Sequence, residues 1–337
     1  MAHQSNDLVL AWKSLSGVDS IPGWQAISLE PVGPVEIQAG KRTPGNLEAI
    51  LLSFPKGCIP SIEKLPEGQG FSVERVFDAS SDSTQVALTR KPAGSPELFL
   101  IMANDVVSTL ASASMENAST NRLLRVFLGR VGAWQEFMRK GSMPLSAESE
   151  VGLVGELKLL SRLIEEGVPV NIAVNAWTGP TFDGLRDFAL GAGAIEVKTT
   201  ISSNGFVAKI GSLEQLDDTH CKPLFVGALK FSLVETGQTL PELVAEISEM
   251  VSIDPYVLAE FENRLLSASY LTTHAHHYHR RFSPQEEKII QVDDDFPCIT
   301  HGNIKTGVVS ARYEINLEQL LNRDVGLANA LKNLGMI

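Results

Sequence analysis

The chain has 337 residues, 44% of them hydrophobic and 20% charged, which is ample material for a sizeable core and a length that suggests two or three domains. A formal net charge of −12 excludes a protein that coats nucleic acid by bulk electrostatics, while leaving room for a local basic groove. No run of about 18 apolar residues could span a bilayer, the start MAHQSNDLVLAWK lacks the basic and apolar regions of a secretion signal, and the three distant cysteines Cys58, Cys221 and Cys298 offer neither a disulfide framework nor a CxxC metal knuckle, so a cytoplasmic protein is expected.

After a short apolar stretch from Leu8 to Leu15, the first third reads as strands broken by turn residues: AILLSF, FSVERVF, TQVALTR and ELFLIM, separated by Pro, Gly and Ser clusters. Such runs indicate a mostly antiparallel sheet. The period then changes: from about Ser114 to Arg139, Leu123, Leu124, Phe127, Leu128, Val131, Trp134 and Phe137 recur at three- and four-residue steps, marking an amphipathic helix. Its other faces carry Arg122, Arg125, Arg130, Arg139 and Lys140, read first as a solvated face and second as a lining for phosphates.

Ser146 precedes AESEVGLVGELKLLSRLIEEG, where a serine cap, glutamates in the first turn and Gly167 at the end define a second helix. The loop-rich VPVNIAVNAWTGPTFDGL leads into RDFALGAGAIEVKTT, a hairpin, and GFVAKI follows as a short strand. SLEQLDD is expected to begin a helix, and PLFVGALKF has the length of a buried strand. The order from Ser146 to Phe231 is therefore αβββαβ. Beyond it, helices are expected around LPELVAEISEMV and PYVLAEFENRLLSA and a strand near GVVSARYEIN. The expected fold class is mixed α+β or α/β, with a β-rich domain at 1–144, the αβββαβ core at 145–235 and a mixed region at 236–337.

Residues two apart on a strand point to one face, so Glu196 and Lys198 project together while Ile195 and Val197 face away. With Gly191 and Ala192 as a type II′ turn, Asp187 lies opposite Glu196 on that same face. Two carboxylates about 5 Å apart repel unless a cation sits between them, and hard oxygen ligands with open positions suit Mg²⁺ or Mn²⁺. Lys198 beside such an ion could orient or help deprotonate a water attacking a phosphodiester. Glu156, on the preceding helix one turn from Gly152 and Leu160, could add a carboxylate to the shell.

Glu156 on the first helix, Asp187 in RDF and EVK at 196–198, within an αβββαβ order, resemble the PD-(D/E)XK nuclease superfamily over about residues 146–235. The longer phrase WTGP…DF…IEVKTT…SLEQLD resembles a bacterial group called PD-(D/E)XK motif proteins, found near restriction or phage-defence genes. The resemblance implies that Asp187 and Glu196 bind the divalent ion, that Lys198 serves catalysis, and that Gln215 is an accessory active-site glutamine. No proline precedes Asp187, whereas Gly179, Pro180 and Asp183 lie upstream, so Asp183 competes as the metal-binding aspartate.

Alone, an ExK strand is what any half-exposed strand shows, and a helix Glu such as Glu156 is more often solvent-facing. His274, His276, His277 and His279 invite a metal reading that no supporting cysteine or HExxH spacing strengthens, and Asp293 to Asp295 read as a solvated turn. The reading that joins these signals is a Mg²⁺- or Mn²⁺-dependent DNA endonuclease of restriction-like or phage-defence systems, with partner proteins and a homodimer compatible with cutting both strands. Its rivals are a catalytically silent scaffold subunit of a defence complex and a hydrolase of another phosphate ester.

Overall fold

A computed structural model describes residues 2–15, 23–55, 65–76, 83–115, 119–141, 143–178 and 186–337. They fall into two compact units, Met1–Ser142 and Met143–Ile337. Among the described residues no helix is long and apolar enough to cross a membrane.

The first unit opens with helix α1 (Ala2–Ser14), continues with strands β1 (Gly23–Ser28), β2 (Glu36–Thr43), β3 (Leu47–Pro55), β4 (Phe71–Val76) and β5 (Ser83–Arg90), and ends with α2 (Pro96–Ser114) and α3 (Thr120–Arg139). The strands form one antiparallel sheet in the order β1-β2-β3-β5-β4. ELFLIM, expected as a strand, begins α2 instead. The Ser95 hydroxyl accepts a hydrogen bond from Leu98 N, Pro96 occupies the first turn, and Phe99, Met102, Ala103, Val106 and Leu110 bury one helical face. A cap and a proline fixed for helical φ outweigh the strand propensity of a short apolar run. On α3, Arg130 is buried and grips Asp105 through Nε and Nη2, both at 2.6 Å, and Trp134 Nε1 donates to the same carboxylate at 2.7 Å. This arginine is a member of the core, not of a solvated basic face.

The second unit contains α4 (Ala147–Glu165), α5 (Val170–Ala176), β6 (Phe188–Leu190), β7 (Gly193–Thr200), β8 (Val207–Ile210), β9 (Leu224–Thr239), α6 (Leu240–Val251), α7 (Pro255–Ser267), β10 (Arg281–Gln291), β11 (Tyr313–Asn316) and α8 (Leu327–Asn333). Four strands make a sheet in the order β10-β9-β7-β6, with β7 and β9 parallel and the other pairs antiparallel. β8 pairs with β11 in a separate ribbon. The boundary expected at 235/236 falls inside β9, whose pairing with β10 makes residues from both sides of it one sheet. Of GVVSARYEIN only the last four residues, Tyr313–Asn316, form a strand.

The helix expected at SLEQLDD does not form. Leu213 and Leu216 are buried, Asp217 N bonds to Glu214 O in a turn, and the Asp217 carboxylate caps a single 3₁₀ turn, Asp218–His220, through Thr219 N. An aspartate that turns its carboxylate on the backbone two residues ahead competes with helix propagation, and Pro223 then ends the segment. The second helix of the αβββαβ order is thus a compact loop between β8 and β9.

The sheet has two covered faces. Ile195, Val197, Phe225, Leu229 and Ile289 join α4 residues such as Leu157 and Leu160 in one core, whereas Ala194, Val226, Ala228 and Ile290 join Phe206, Ala208, Ile210, Ile315 and Leu317 in another. Glu196 and Lys198, alternating with Ile195 and Val197, lie on the second face. The close approach of α4 to β7 is made at Gly155, where an added Cβ would stand 1.8 Å from Thr199 Oγ1, and not at Gly152, where it would meet nothing within 4 Å. Gly155→Val is expected to destabilise the second unit by about 1–3 kcal/mol through overpacking, and Gly152→Ala to be neutral or stabilising by up to about 1 kcal/mol through helix propensity. Urea unfolding of the two variants checks the contrast.

Candidate active site

The β6–β7 hairpin pairs Phe188 with Ile195, Ala189 with Ala194 and Leu190 with Gly193, the register that sets Asp187 across from Glu196. Gly191 takes φ +59 while Ala192 stays at negative φ, the sign pattern of a type II′ turn. A Cβ at Gly191 would also meet Leu334 O at 2.3 Å, so both the backbone and its neighbour demand glycine. Outside the hairpin, Trp177 bridges Phe188 and Thr178 N donates to Asp187 O at 2.9 Å. This extra rung fixes the backbone that carries Asp187.

Each carboxylate is held by one oxygen. Asp187 Oδ2 accepts from Val197 N at 2.6 Å, and Glu196 Oε1 accepts from Lys198 Nζ at 2.9 Å and from Gln215 Nε2. Gln215 is held in turn by Gly211 N, which donates to its Oε1 at 2.8 Å. The loop that replaces the expected helix thereby delivers Gln215 to Glu196. Asp187 Oδ1 and Glu196 Oε2 accept no hydrogen bond among the described residues.

The electrostatics follow from burial. Glu196 is 2% exposed, and burial first, then the charge of Asp187, push its carboxyl up to about 8, against the downward pull of Lys198. Burial also raises Asp187, opposed by the Val197 N–H and by the charges of Lys198 and Arg186. Two carboxyls raised together on one face hold a proton at neutral pH or accept a cation in its place. Those two oxygens are hard donors of the kind that suits a small divalent ion.

Glu156 accepts a hydrogen bond from the Trp177 indole at 2.8 Å. Among the described residues no three His, Cys, Asp or Glu side chains gather to hold a metal, so no third carboxylate joins Asp187 and Glu196. Asp183 lies outside the described residues. His274, His276 and His277 share a 3₁₀ turn with ring centroids 4.1 and 6.1 Å apart, and Asp293 is engaged by Arg323 at 2.5 Å.

The family model that matches residues 8–318 is described as "Putative PD-(D/E)XK family member, (DUF4420)". The chain belongs to this family. No curated protein and no solved structure matches it. For a DUF4420 chain the description points to nuclease-like chemistry, and the hairpin is where the D…ExK residues stand.

Three residues around this candidate site carried no signal of their own in the sequence. Arg186 Nη2 donates to Asp217 O at 2.6 Å, tying the shoulder of Asp187 to the Gln215 loop. His301 Nε2 lies 2.7 Å from Glu214 Oε1, a contact that holds the Glu214 carboxyl down at about 2 and adds a second tie to the same loop. Arg186 adjoins the motif, but its partner is a backbone carbonyl 31 positions away, and no local pattern reports that.

The raised Glu196 pKa fixes a pH dependence. Its folded value of about 8 lies above the ordinary 4.5, so the folded chain binds the extra proton between these values and stability falls as pH rises through that window. The contribution is complete below about 4.5 and lost above about 8. Urea midpoints of the metal-free protein are expected to fall from pH 5 to pH 8, and Glu196→Gln, neutral throughout, to flatten that slope; equal slopes in both proteins would refute the assignment.

Proposed function

We propose that the chain is a metal-dependent endonuclease that hydrolyses DNA phosphodiester bonds, with Asp187, Glu196 and Lys198 as its centre and Gln215 as an accessory residue. The observation that carries this reading is the Glu196 carboxyl, buried opposite Asp187 with Lys198 Nζ 2.9 Å from its Oε1. Such burial is costly for a structural residue, and an apolar side chain would fill the position better. Perturbed carboxyls paired with a lysine are the arrangement expected of a reactive site.

Asp187 Oδ1 and Glu196 Oε2 would hold Mg²⁺ or Mn²⁺, with Asp183 as a further candidate ligand, while Glu156, expected from the sequence to join them, is engaged by the Trp177 indole instead. A bound divalent ion supplies charge neutralisation and Lewis acidity toward a phosphoryl oxygen. The chain's own residues supply the rest. Lys198, anchored to Glu196, orients the attacking water and assists loss of its proton, while its positive charge favours approach of a phosphate. Gln215, anchored by Gly211 N, holds Glu196 Oε1 and keeps Oε2 turned away from the loop. Arg186 and the His301–Glu214 contact secure that loop.

A role in restriction-like or phage-defence systems, with partner proteins and a homodimer that cuts both strands, is supported by the sequence resemblance. The scaffold reading draws on the net charge of −12, which a silent subunit would tolerate as readily.

Incubation with supercoiled plasmid in Mg²⁺ or Mn²⁺ tests the reading. Nicking or linearisation is expected, abolished by EDTA and reduced about 10²–10⁴-fold in Glu196→Ala and Lys198→Ala, with a loss of about 10–100-fold in Gln215→Ala. Full cleavage by Glu196→Ala would end the proposal.

A further inference from the structure

The sheet that carries Glu196 and Lys198 carries two more lysines on the same face. In the observed register Lys198 lies beside Ala228, Ala228 beside Lys288, and Thr200 beside Lys230. With strands roughly 4.8 Å apart and a rise of roughly 3.3 Å per residue, the three lysine Cα atoms form a triangle with sides of about 8–10 Å. A chain with 28 basic and 40 acidic residues does not gather lysines by abundance.

Lys230 and Lys288 line a groove of about 830 Å³ that begins where β7 ends, with Ser202 and Ser203 on its wall. The groove runs along the β9–β10 edge, where the pairing slips between Pro284 and Glu286, a bulge that bends the strand and re-aims its side chains. Neither lysine is tightly neutralised. Lys230 Nζ stands 3.8 Å from Glu318 and Lys288 Nζ 3.5 Å from Asp324, long pairs that a phosphate could displace. Among the described residues two acids line the groove with the lysines: Glu286, directly beside Lys230 and without an ion pair, and Glu287, which is paired with Arg162 at 3.4 Å.

We propose that this groove binds the sugar–phosphate backbone of duplex DNA flanking the scissile bond, with Lys230 and Lys288 on phosphates and the Ser202 and Ser203 hydroxyls as neutral donors. The proposal rests on the nuclease reading and adds the path of the substrate: DNA leaves the Asp187–Glu196–Lys198 centre over the C-terminal end of β7. Contacts of this kind position the duplex without reading its sequence. Glu286 weakens the hold, which keeps the strand exchangeable.

Anisotropy of a labelled duplex oligonucleotide, measured in EDTA across a salt series, tests the groove. The Lys230→Ala/Lys288→Ala double variant is expected to bind about tenfold more weakly at ~0.1 M salt and to lower the slope of log K on log salt by about two. Glu286→Gln is expected to bind about two- to fivefold more tightly, a gain that misfolding cannot produce. If both variants bind as the unaltered chain does, while plasmid cleavage still depends on Lys198, the groove is overturned and the nuclease reading stands. If the unaltered chain binds no duplex, both fall.

Discussion

The repulsion between Asp187 and Glu196 is the constraint around which the second unit is organised. A hairpin register places the two carboxyls opposite each other, and a second layer of β8, β11 and their neighbours closes over Glu196. Everything close to the pair moderates that repulsion. The Val197 N–H, Lys198, Gln215 and the charge of Arg186 each stabilise one of the two anions, yet Glu196 still rests at about 8. Burying a group that repels its neighbour is sustained only when the surrounding fold over-determines it, and such groups concentrate at reactive centres.

Much of the site was legible because it is local. Alternation along IEVK put Glu196 and Lys198 on one face, and the glycine-first turn set Asp187 opposite Glu196; both rules act over a few residues. Helix α4 announced itself through its Ser146 cap, and α6 and α7 were expected from their segments; the structure adds a Thr239–Glu242 capping box at the start of α6. Failures came where tertiary partners decide. The SLEQLDD segment has a helix-like composition, but Gln215 is drawn to Glu196 and Asp217 caps its own turn, so the chain forms a loop. ELFLIM erred the other way, since a strand-like run sits behind a serine cap and a proline. Glu156 was placed on the correct helix, while its indole partner Trp177 lies just past the end of α5, a contact no spacing encodes.

The acidity of the chain, which weighs against polyanion binding in bulk, is compatible with a surface divided by function. Carboxylates such as Glu165, Glu166 and Glu287 are spent on Arg162, and Glu150 on Arg280, within the structure itself. Lys198, Lys230 and Lys288 share one face of the sheet, the last two in longer pairs of 3.8 and 3.5 Å with Glu318 and Asp324. Local charge, not net charge, governs whether a phosphate is drawn to a groove.

The most direct test of the central claim is calorimetric titration of the protein with Mn²⁺ at pH 7 in two buffers of different ionisation enthalpy. A carboxyl at about 8 is mostly protonated there, so an ion that takes its place must release a proton. Binding is expected with release of close to one proton, and is expected to be lost in Asp187→Asn and in Glu196→Gln. Binding of equal strength in Glu196→Gln, or binding without proton release, would contradict that claim.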